Sequence, residues 1–454
     1  MDARRLIADV TALLGPERVS TARAHREAAA RDESALPPVL PDAVVWPETT
    51  DHVAAVVTRA AEARVPVTAR GAGSSLEGNP IPVRAGLVLD LTRMARVLDV
   101  RRGDLQADVQ PGVVYDDLNR ALRPDGLVFP PSPGGSSDVA TIGGMVANNA
   151  SGIYAVKYGG TRAHVLGATV VTGTGAIVRL GTRCRKSSSG YHLIGLLVGS
   201  EGTLAVATEI TLSLAGLPHA RRTGAFVFAE ETEAVRAVAD LIRFGVDIAA
   251  VEFLDRRTVA ALNAFRCFDL VEQPSLFVEV HGSDAIVGEA WAAAATICSE
   301  AGGRPIVLAG GRDPWEVRHH VTRAIQARRP AAKIVRTDLA FPISKLPALV
   351  ADAYRLAAEH DMTLHTFGHA GIGILHALIL EDPGNATRWE AAQATRAALI
   401  HAALAHGGSV SGEHGIGTGN RAYLSEEHGG AVALMQDIKA VFDPAGILNP
   451  GKIW

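Results

Sequence analysis

Val65-Pro66-Val67-Thr68-Ala69-Arg70-Gly71-Ala72-Gly73-Ser74-Ser75 reads as a strand running straight into a glycine turn. Glycines permit positive φ and close backbone approach, so successive N–H groups in such a turn can converge on a pyrophosphate. The first comparison is a Rossmann dinucleotide turn, which needs G-x-G-x-x-G leading into a helix. That spacing fails here, and Asn79-Pro80-Ile81-Pro82 breaks any helix before the next strand, Leu87-Val88-Leu89-Asp90-Leu91. Taken alone, the loop is no more than a tight turn, and its meaning depends on the rest of the chain.

Working outward, Ala43-Val44-Val45-Trp46 reads as a further strand, and Thr50 to Ala63 as a helix opened by Thr-Asp caps. Upstream, residues 1–40 contain one or two helices and a polar connector. Downstream, from 103 to 215, short strands and turns dominate, with glycines clustered at 134–152, 159–160 and 195–202. The style changes after Leu214-Ala215-Gly216-Leu217-Pro218: strands such as Thr223–Val227 and Leu276–His281 alternate with alanine-rich helices at 285–301 and 385–405. This pattern predicts a second α/β domain built on an antiparallel sheet. Past 407 the glycine-rich style returns. The expected division is therefore 1–218, 219–406 and a returning segment, 407–454.

A chain of 454 residues is longer than one hydrophobic core normally serves. Its 48% hydrophobic and 20% charged residues describe a globular protein. A net charge of −4 with only 5% aromatics argues against nucleic acid as a partner. Cys184, Cys267 and Cys298 form no CxxC pair, which argues against a zinc ribbon or a redox dithiol and suits a reducing compartment. The N-terminus reads as an amphipathic helix, not a signal peptide. No stretch reaches the ~18 uncharged apolar residues of a spanning helix. The expected location is cytoplasmic, with any membrane association peripheral.

The turn at 71–75 has company. Pro131-Ser132-Pro133-Gly134-Gly135-Ser136, Ala140-Thr141-Ile142-Gly143-Gly144-Met145-Val146-Ala147-Asn148-Asn149 and Val198-Gly199-Ser200-Glu201-Gly202-Thr203-Leu204 follow at long intervals. In the order and spacing of these motifs, from about residue 38 to the C-terminus, the sequence resembles the FAD-binding family of vanillyl-alcohol oxidase and para-cresol methylhydroxylase. Within it, the chain looks like the branch of FAD-dependent D-lactate and D-2-hydroxyglutarate dehydrogenases and the glycolate oxidase flavin subunit. The resemblance implies an α+β fold: a two-subdomain FAD-binding domain plus an α/β substrate (cap) domain with an antiparallel sheet. It implies that Arg70, Gly71, Ala72, Gly73, Ser74 and Ser75 wrap the pyrophosphate. Pro133, Gly134, Thr141, Gly143, Gly144, Asn148, Ser151 and Gly152 would line the flavin and ribityl chain. Glu201 and Gly202 would border the adenosine half, and Asn449 would close the isoalloxazine side. Members with covalent flavin place a histidine where Ser74 stands, so non-covalent FAD is implied.

Two histidines lie seven apart in Phe367-Gly368-His369-Ala370-Gly371-Ile372-Gly373-Ile374-Leu375-His376, and a Glu-His pair lies in Ser411-Gly412-Glu413-His414-Gly415. Two imidazoles and a carboxylate suit Zn²⁺ or a similar divalent ion such as Mn²⁺. A lone histidine in an apolar strand is more often a satisfied core residue. The dehydrogenases carry G-H-x-G-D-G-N-x-H followed by G-E-H-G, which places His369, His376 and Glu413 as metal ligands and His414 as general base. Two departures stand out: the Asp and Asn of that pattern are Ile372 and Ile374 here, and a further position, often Asn, is Leu378. These replacements imply a drier pocket.

Trp315-Glu316-Val317-Arg318-His319-His320-Val321-Thr322 reads as a helix start with Arg318 and Thr322 on one face, i and i+4. Arginine's planar fork suits a carboxylate. By resemblance, Arg318 and Thr322 match substrate-carboxylate residues, and Arg336 stands where a lysine is common. Lys345 is expected at the surface.

The implied reaction is oxidation of a D-2-hydroxy acid, D-lactate or a longer apolar homologue, to the 2-oxo acid, with metal assistance, His414 as base and hydride passing to flavin N5. The implied electron acceptor is a quinone, an electron-transfer flavoprotein or a cytochrome, and a homodimer is one assembly the resemblance allows. Two alternatives are an oxidase of the same fold that returns electrons to O₂, and a non-catalytic flavin-binding subunit of a glycolate oxidase-like complex.

Overall fold

The computed structural model describes residues 3–454. The chain separates into two compact units. One comprises the residues up to Ser151, Gly159–Leu217 and Glu413–Trp454, and the other Gly152–Tyr158 with Pro218–Gly412. The crossing at 217/218 falls at the Leu-Pro step. The return falls at Glu413, six residues later than the change of style at 407, because Ser409 and Ser411 still bridge to Ala340 and Asp338 in the second unit. The short excursion Gly152–Tyr158 has no counterpart in the composition of the chain.

Among the described residues the first unit holds two larger sheets and a two-stranded ribbon, Leu127–Val128 with Ala215–Gly216. In one, Ala43–Val45, Leu87–Asp90 and Val67–Arg70 run parallel, with Val19–Ser20 antiparallel at the edge. Val–Leu-rich strands buried between layers suit parallel pairing. The helix Thr50–Ala63 forms where its sequence begins it: Thr49 accepts from His52 N at 3.1 Å, and Arg64 ends it in the left-handed region at φ 54°. Its Val53, Val56, Val57 and Ala60 pack with Leu6, Val10 and Leu14 of the helix Ala3–Leu14. No helix follows Val67–Arg70; an irregular segment leads to Leu87, as the prolines require.

The other sheet is five-stranded and antiparallel, in the order Val97–Arg101, Gln106–Val109, Ala205–Ser213, Val165–Thr172, Ile177–Gly181. Its core joins Leu118, Leu122 and Phe129 to Ile142, Met145 and Val146 of the helix Ile142–Asn148.

The second unit is built on one seven-stranded sheet whose neighbours are all antiparallel: Arg304–Ile306, Ala220–Val227, Ser275–Gly282, Ile248–Leu254, His365–Gly368, Ile374–Glu381, Lys333–Ala340. The helices Arg256–Arg266 and Val321–Arg328 cover one face through Val259, Leu262, Val321 and Ile325. The helices Asp284–Glu300 and Ala386–Ala405 contact strands of the same sheet. Ile374–Glu381 is buried along its whole length. No described helix is long and apolar enough to cross a membrane.

Candidate functional site

Within the first unit a cleft opens to solvent. Arg70, Gly71, Ala72, Gly73, Ser74 and Ser75 form one wall. Pro133, Thr141, Gly143, Gly144 and Asn148 form a second, and Glu201 with Gly202 a third, beside Glu413 and His414. The turn is held from behind: Arg70 Nη1 donates to Arg31 O at 2.7 Å, and Gly73 takes φ +77° where a Cβ would strike the Arg70 guanidinium. Among the described residues, the backbone N–H groups of Gly71 to Ser75 have no protein acceptor. Five neighbouring donors left open at a cleft are what a pyrophosphate needs, so these residues fit FAD.

Gly143 is small for a second reason besides its place on the cavity wall. A Cβ there would lie 2.6 Å from Pro111 Cβ and 2.9 Å from Pro111 O, so the glycine lets the helix Ile142–Asn148 seat against that segment. Thr141 caps this helix, accepting from Gly144 N at 3.3 Å.

Four expected cofactor residues do not line the cavity. Gly134 opens a short 3-10 turn, Gly134–Ser136. Ser151 instead grips Glu413, donating from Oγ at 2.8 Å and from its N–H at 3.3 Å. Gly152 belongs to the second unit. Asn449 is buried behind the wall, its amide donating to Asn79 O at 3.0 Å and Glu201 O at 2.7 Å.

Glu201 sits at 4% exposure, and its carboxylate accepts from Asn79 Nδ2 at 2.7 Å, Ile416 N at 2.6 Å and Gly417 N at 2.8 Å. Burial raises its carboxyl pKa; the three donors and the Lys452 ammonium oppose that rise. Its carboxylate therefore ties down the loop that carries Glu413 and His414. Asn148 supports the same loop, donating to His414 O at 3.1 Å.

In the second unit, the strand Ile248–Leu254 brings a carboxylate into the sheet. Glu252, at 0% exposure, accepts from Arg318 Nε at 2.5 Å through one oxygen and meets His369 Nδ1 at 2.6 Å through the other. Burial pushes its carboxyl up, but His369 and Arg318 outweigh that and hold it below the usual carboxylate range. The Arg318 guanidinium lies 4.8 Å from the Phe367 ring centroid. Among the described residues its Nη1 and Nη2 have no acceptor, leaving the fork available to an external carboxylate.

His376 lies opposite Asp338 in the register of Ile374–Glu381 with Lys333–Ala340, and its Nδ1 is 3.3 Å from Asp338 Oδ1. The His369 and His376 rings stand perpendicular with centroids 5.3 Å apart. The His376 imidazole beside the Asp338 carboxylate fits a divalent ion by donor chemistry. Arg336 is half-buried, opposite Leu378.

One expectation is corrected. Arg318 and Thr322 do not share a helix face: Pro314–Arg318 ends at Arg318, a new helix starts at Val321, and Thr322 is exposed. Asp313 caps the first helix and Pro314 opens it, so its register is set by its own start. Lys345 is exposed.

Sequence reasoning missed Glu252, Asp338 and Glu279. Glu279 is buried and bonded to Trp315 Nε1, to His281, and to Thr223 Oγ1 at 2.7 Å. The available signal was a single acid inside an otherwise apolar strand, as in Ile248-Ala249-Ala250-Val251-Glu252-Phe253-Leu254.

Residues 41–181 match the family model of an FAD binding domain, and residues 217–453 that of the C-terminal domain of FAD linked oxidases. A probable mitochondrial D-lactate dehydrogenase of Danio rerio is 36% identical over 99% of this chain and 91% of its own length. Glycolate oxidase subunit GlcD of Bacillus subtilis is 33% identical over 97% of this chain and 94% of its own length. In fold, the chain is similar to p-cresol methylhydroxylase with substrate bound, at TM-score 0.84 and 18% identity, covering 99% of this chain and 96% of that one. With FAD-binding walls, an FAD-linked-oxidase C-terminal half and relatives along nearly its full length, the chain belongs to the FAD-linked oxidase family, in the branch that includes D-lactate dehydrogenases and glycolate oxidase subunit GlcD.

Proposed function

We propose that this FAD-linked oxidoreductase oxidises a D-2-hydroxy acid, D-lactate or a longer apolar homologue, to the 2-oxo acid. The observation that carries the reading is Arg318: a guanidinium pinned by Glu252 at Nε, stacked on Phe367 and presenting both terminal nitrogens. Such a fork binds a carboxylate in two charge-assisted bonds. Arg336 is a second cation for the same group. Ile372, Ile374 and Leu378 are apolar, which suits a short aliphatic tail better than a second carboxylate.

His414, on the wall of the flavin cavity, takes the 2-hydroxyl proton; imidazole titrates near neutrality and suits that task. Bound FAD supplies the two-electron acceptor. His369, His376 and Glu413 are the proposed ligands of a divalent ion, Zn²⁺ or Mn²⁺, which when bound supplies Lewis acidity. Asp338 is an additional carboxylate beside His376. The electrons leave to a quinone, an electron-transfer flavoprotein or a cytochrome.

The relatives support the substrate class, since several carry the name D-lactate dehydrogenase. The test is anaerobic mixing of the FAD-loaded protein with D-lactate and with L-lactate. The D-acid is expected to bleach the flavin's visible band, and the L-acid to leave it. In His414→Ala, reduction should slow by roughly 10²–10⁴-fold. Equal bleaching by both enantiomers, or none by any 2-hydroxy acid, refutes the proposal.

A further inference from the structure

We infer that Glu252 is a positioning residue that orients His369 and Arg318 together, so that the metal-binding and acid-binding groups of the second unit share one buried carboxylate. The inference rests on the reaction proposed above. Glu252 is the only acid in the strand Ile248–Leu254, every residue of which is buried. Removing one charge from water is costly, and a buried ion pair is often no more stabilising than well-packed hydrophobic residues. Stability alone therefore gives little reason for an acid at this place.

Its two oxygens are divided between two partners. One accepts from Arg318 Nε at 2.5 Å, the other meets His369 Nδ1 at 2.6 Å. Beside a permanent cation the carboxylate can only accept, so the His369 proton sits on Nδ1 and Nε2 is the unprotonated nitrogen, the one of ligand type. This is the usual way an outer carboxylate sets the tautomer and direction of a metal-binding imidazole. The same carboxylate takes the inner edge of the guanidinium, which turns the Nη1–Nη2 edge outward over Phe367. Rotation of either group is thereby referred to one side chain. Glu279 repeats the geometry on the neighbouring strand, taking Trp315 from the same short helix and His281 from its own strand.

The substitution Glu252→Gln keeps shape and removes the charge. In one orientation its amide oxygen accepts from Arg318 while its NH2 donates to His369 Nδ1, which moves the imidazole proton to Nε2; in the other the oxygen accepts from His369 and the NH2 opposes the Arg318 Nε–H. The FAD-loaded variant is expected to keep wild-type flavin content, because the flavin cavity belongs to the other unit. Its affinity for Zn²⁺ or Mn²⁺, measured by metal analysis after dialysis at fixed free ion, should fall roughly 10–100-fold, as outer-ligand changes do. Its Kd for the unreactive analogue oxalate, read from perturbation of the oxidised flavin spectrum, and its KM for D-lactate should each rise at least tenfold.

Glu252→Gln with wild-type metal affinity and wild-type oxalate affinity overturns the inference. If that variant does not fold, Arg318→Gln serves: Arg318 is not a proposed metal ligand, so a metal affinity altered at least threefold supports coupling through Glu252, and an unchanged one overturns it. A wild-type protein that binds neither ion refutes the metal proposal separately, and oxalate binding by Glu252→Gln then decides the inference on its Arg318 arm.

Discussion

Glu201→Ala removes a carboxylate that three donors in the first unit share. Asn79 Nδ2, Ile416 N and Gly417 N lie at 2.7, 2.6 and 2.8 Å from it, in a place where Glu201 is 4% exposed. A hydrogen bond to a charged group contributes about 1.5–3 kcal/mol, so the three together set an upper bound of about 4.5–9 kcal/mol. Water entering the vacated space and relaxation of the loop reduce this, and loss of the cost of burying the charge reduces it again. A net loss of about 2–4 kcal/mol follows, or roughly 30- to 1000-fold in the opening equilibrium of the loop. The assay is hydrogen exchange by mass spectrometry on peptides covering 413–420, together with the FAD Kd of the apoprotein. Exchange should accelerate by that factor, and FAD should bind more weakly because Glu201 and His414 both line its cavity. Glu201→Gln, which keeps one acceptor, should fall between. Wild-type exchange at Ile416 and Gly417 in Glu201→Ala would falsify the view that this carboxylate holds the Glu-His loop.

Gly143→Ala places a Cβ against the ring and carbonyl of Pro111, neither of which can swing aside, and should cost about 1–3 kcal/mol. The flavin-to-protein absorbance ratio of the purified variant should fall; an unchanged ratio and melting temperature contradict the packing argument. Acid precipitation should release the flavin into the supernatant, since Ser74 offers no imidazole for a covalent bond; a yellow pellet means attachment elsewhere. Lys452 is buried with Nζ donating to Ile81 O, and burial lowers its ammonium to about 8 against the raising effect of Glu201. Between pH 8 and the ordinary lysine value near ~10.4, the unfolded chain holds a proton the folded one has released, so stability rises with pH there. Urea denaturation at stepped pH should show this rise, about 3 kcal/mol at most, and Lys452→Met should lack it.

Much of the fold was legible because its signals are local. Thr50–Ala63 carries its own cap and its own apolar stripe, and the strands at 220–227 and 275–282 are bounded by turns. The flavin walls were legible because backbone approach demands glycine in several separated places at once. What escaped depends on packing. A glutamate among Ala, Val, Phe and Leu at 248–254 gives no sign of which imidazole or guanidinium will reach it. The break between Arg318 and Val321 escaped because the i, i+4 spacing looked continuous, although Asp313 and Pro314 had already set the start of a short helix. Ser151 and Asn449 escaped in another way. Both stand inside cofactor-like motifs, yet their hydrogen bonds go to Glu413 and to the carbonyls of Asn79 and Glu201.

The excursion Gly152–Tyr158 has a bearing on how such a chain can recombine. Lys157 Nζ bonds both oxygens of Asp247 at 2.5 and 2.6 Å, Tyr158 OH meets His281 Nδ1 at 2.9 Å, and Val156 packs where a Cβ on Gly371 would stand. A cassette cut at 218 and 412 therefore leaves seven of its own residues behind in the donor gene. A chimera that exchanges only that cassette inherits a foreign plug for Asp247, His281 and Gly371. Moving the whole unit between relatives would need two separated segment exchanges, one of them only seven residues long.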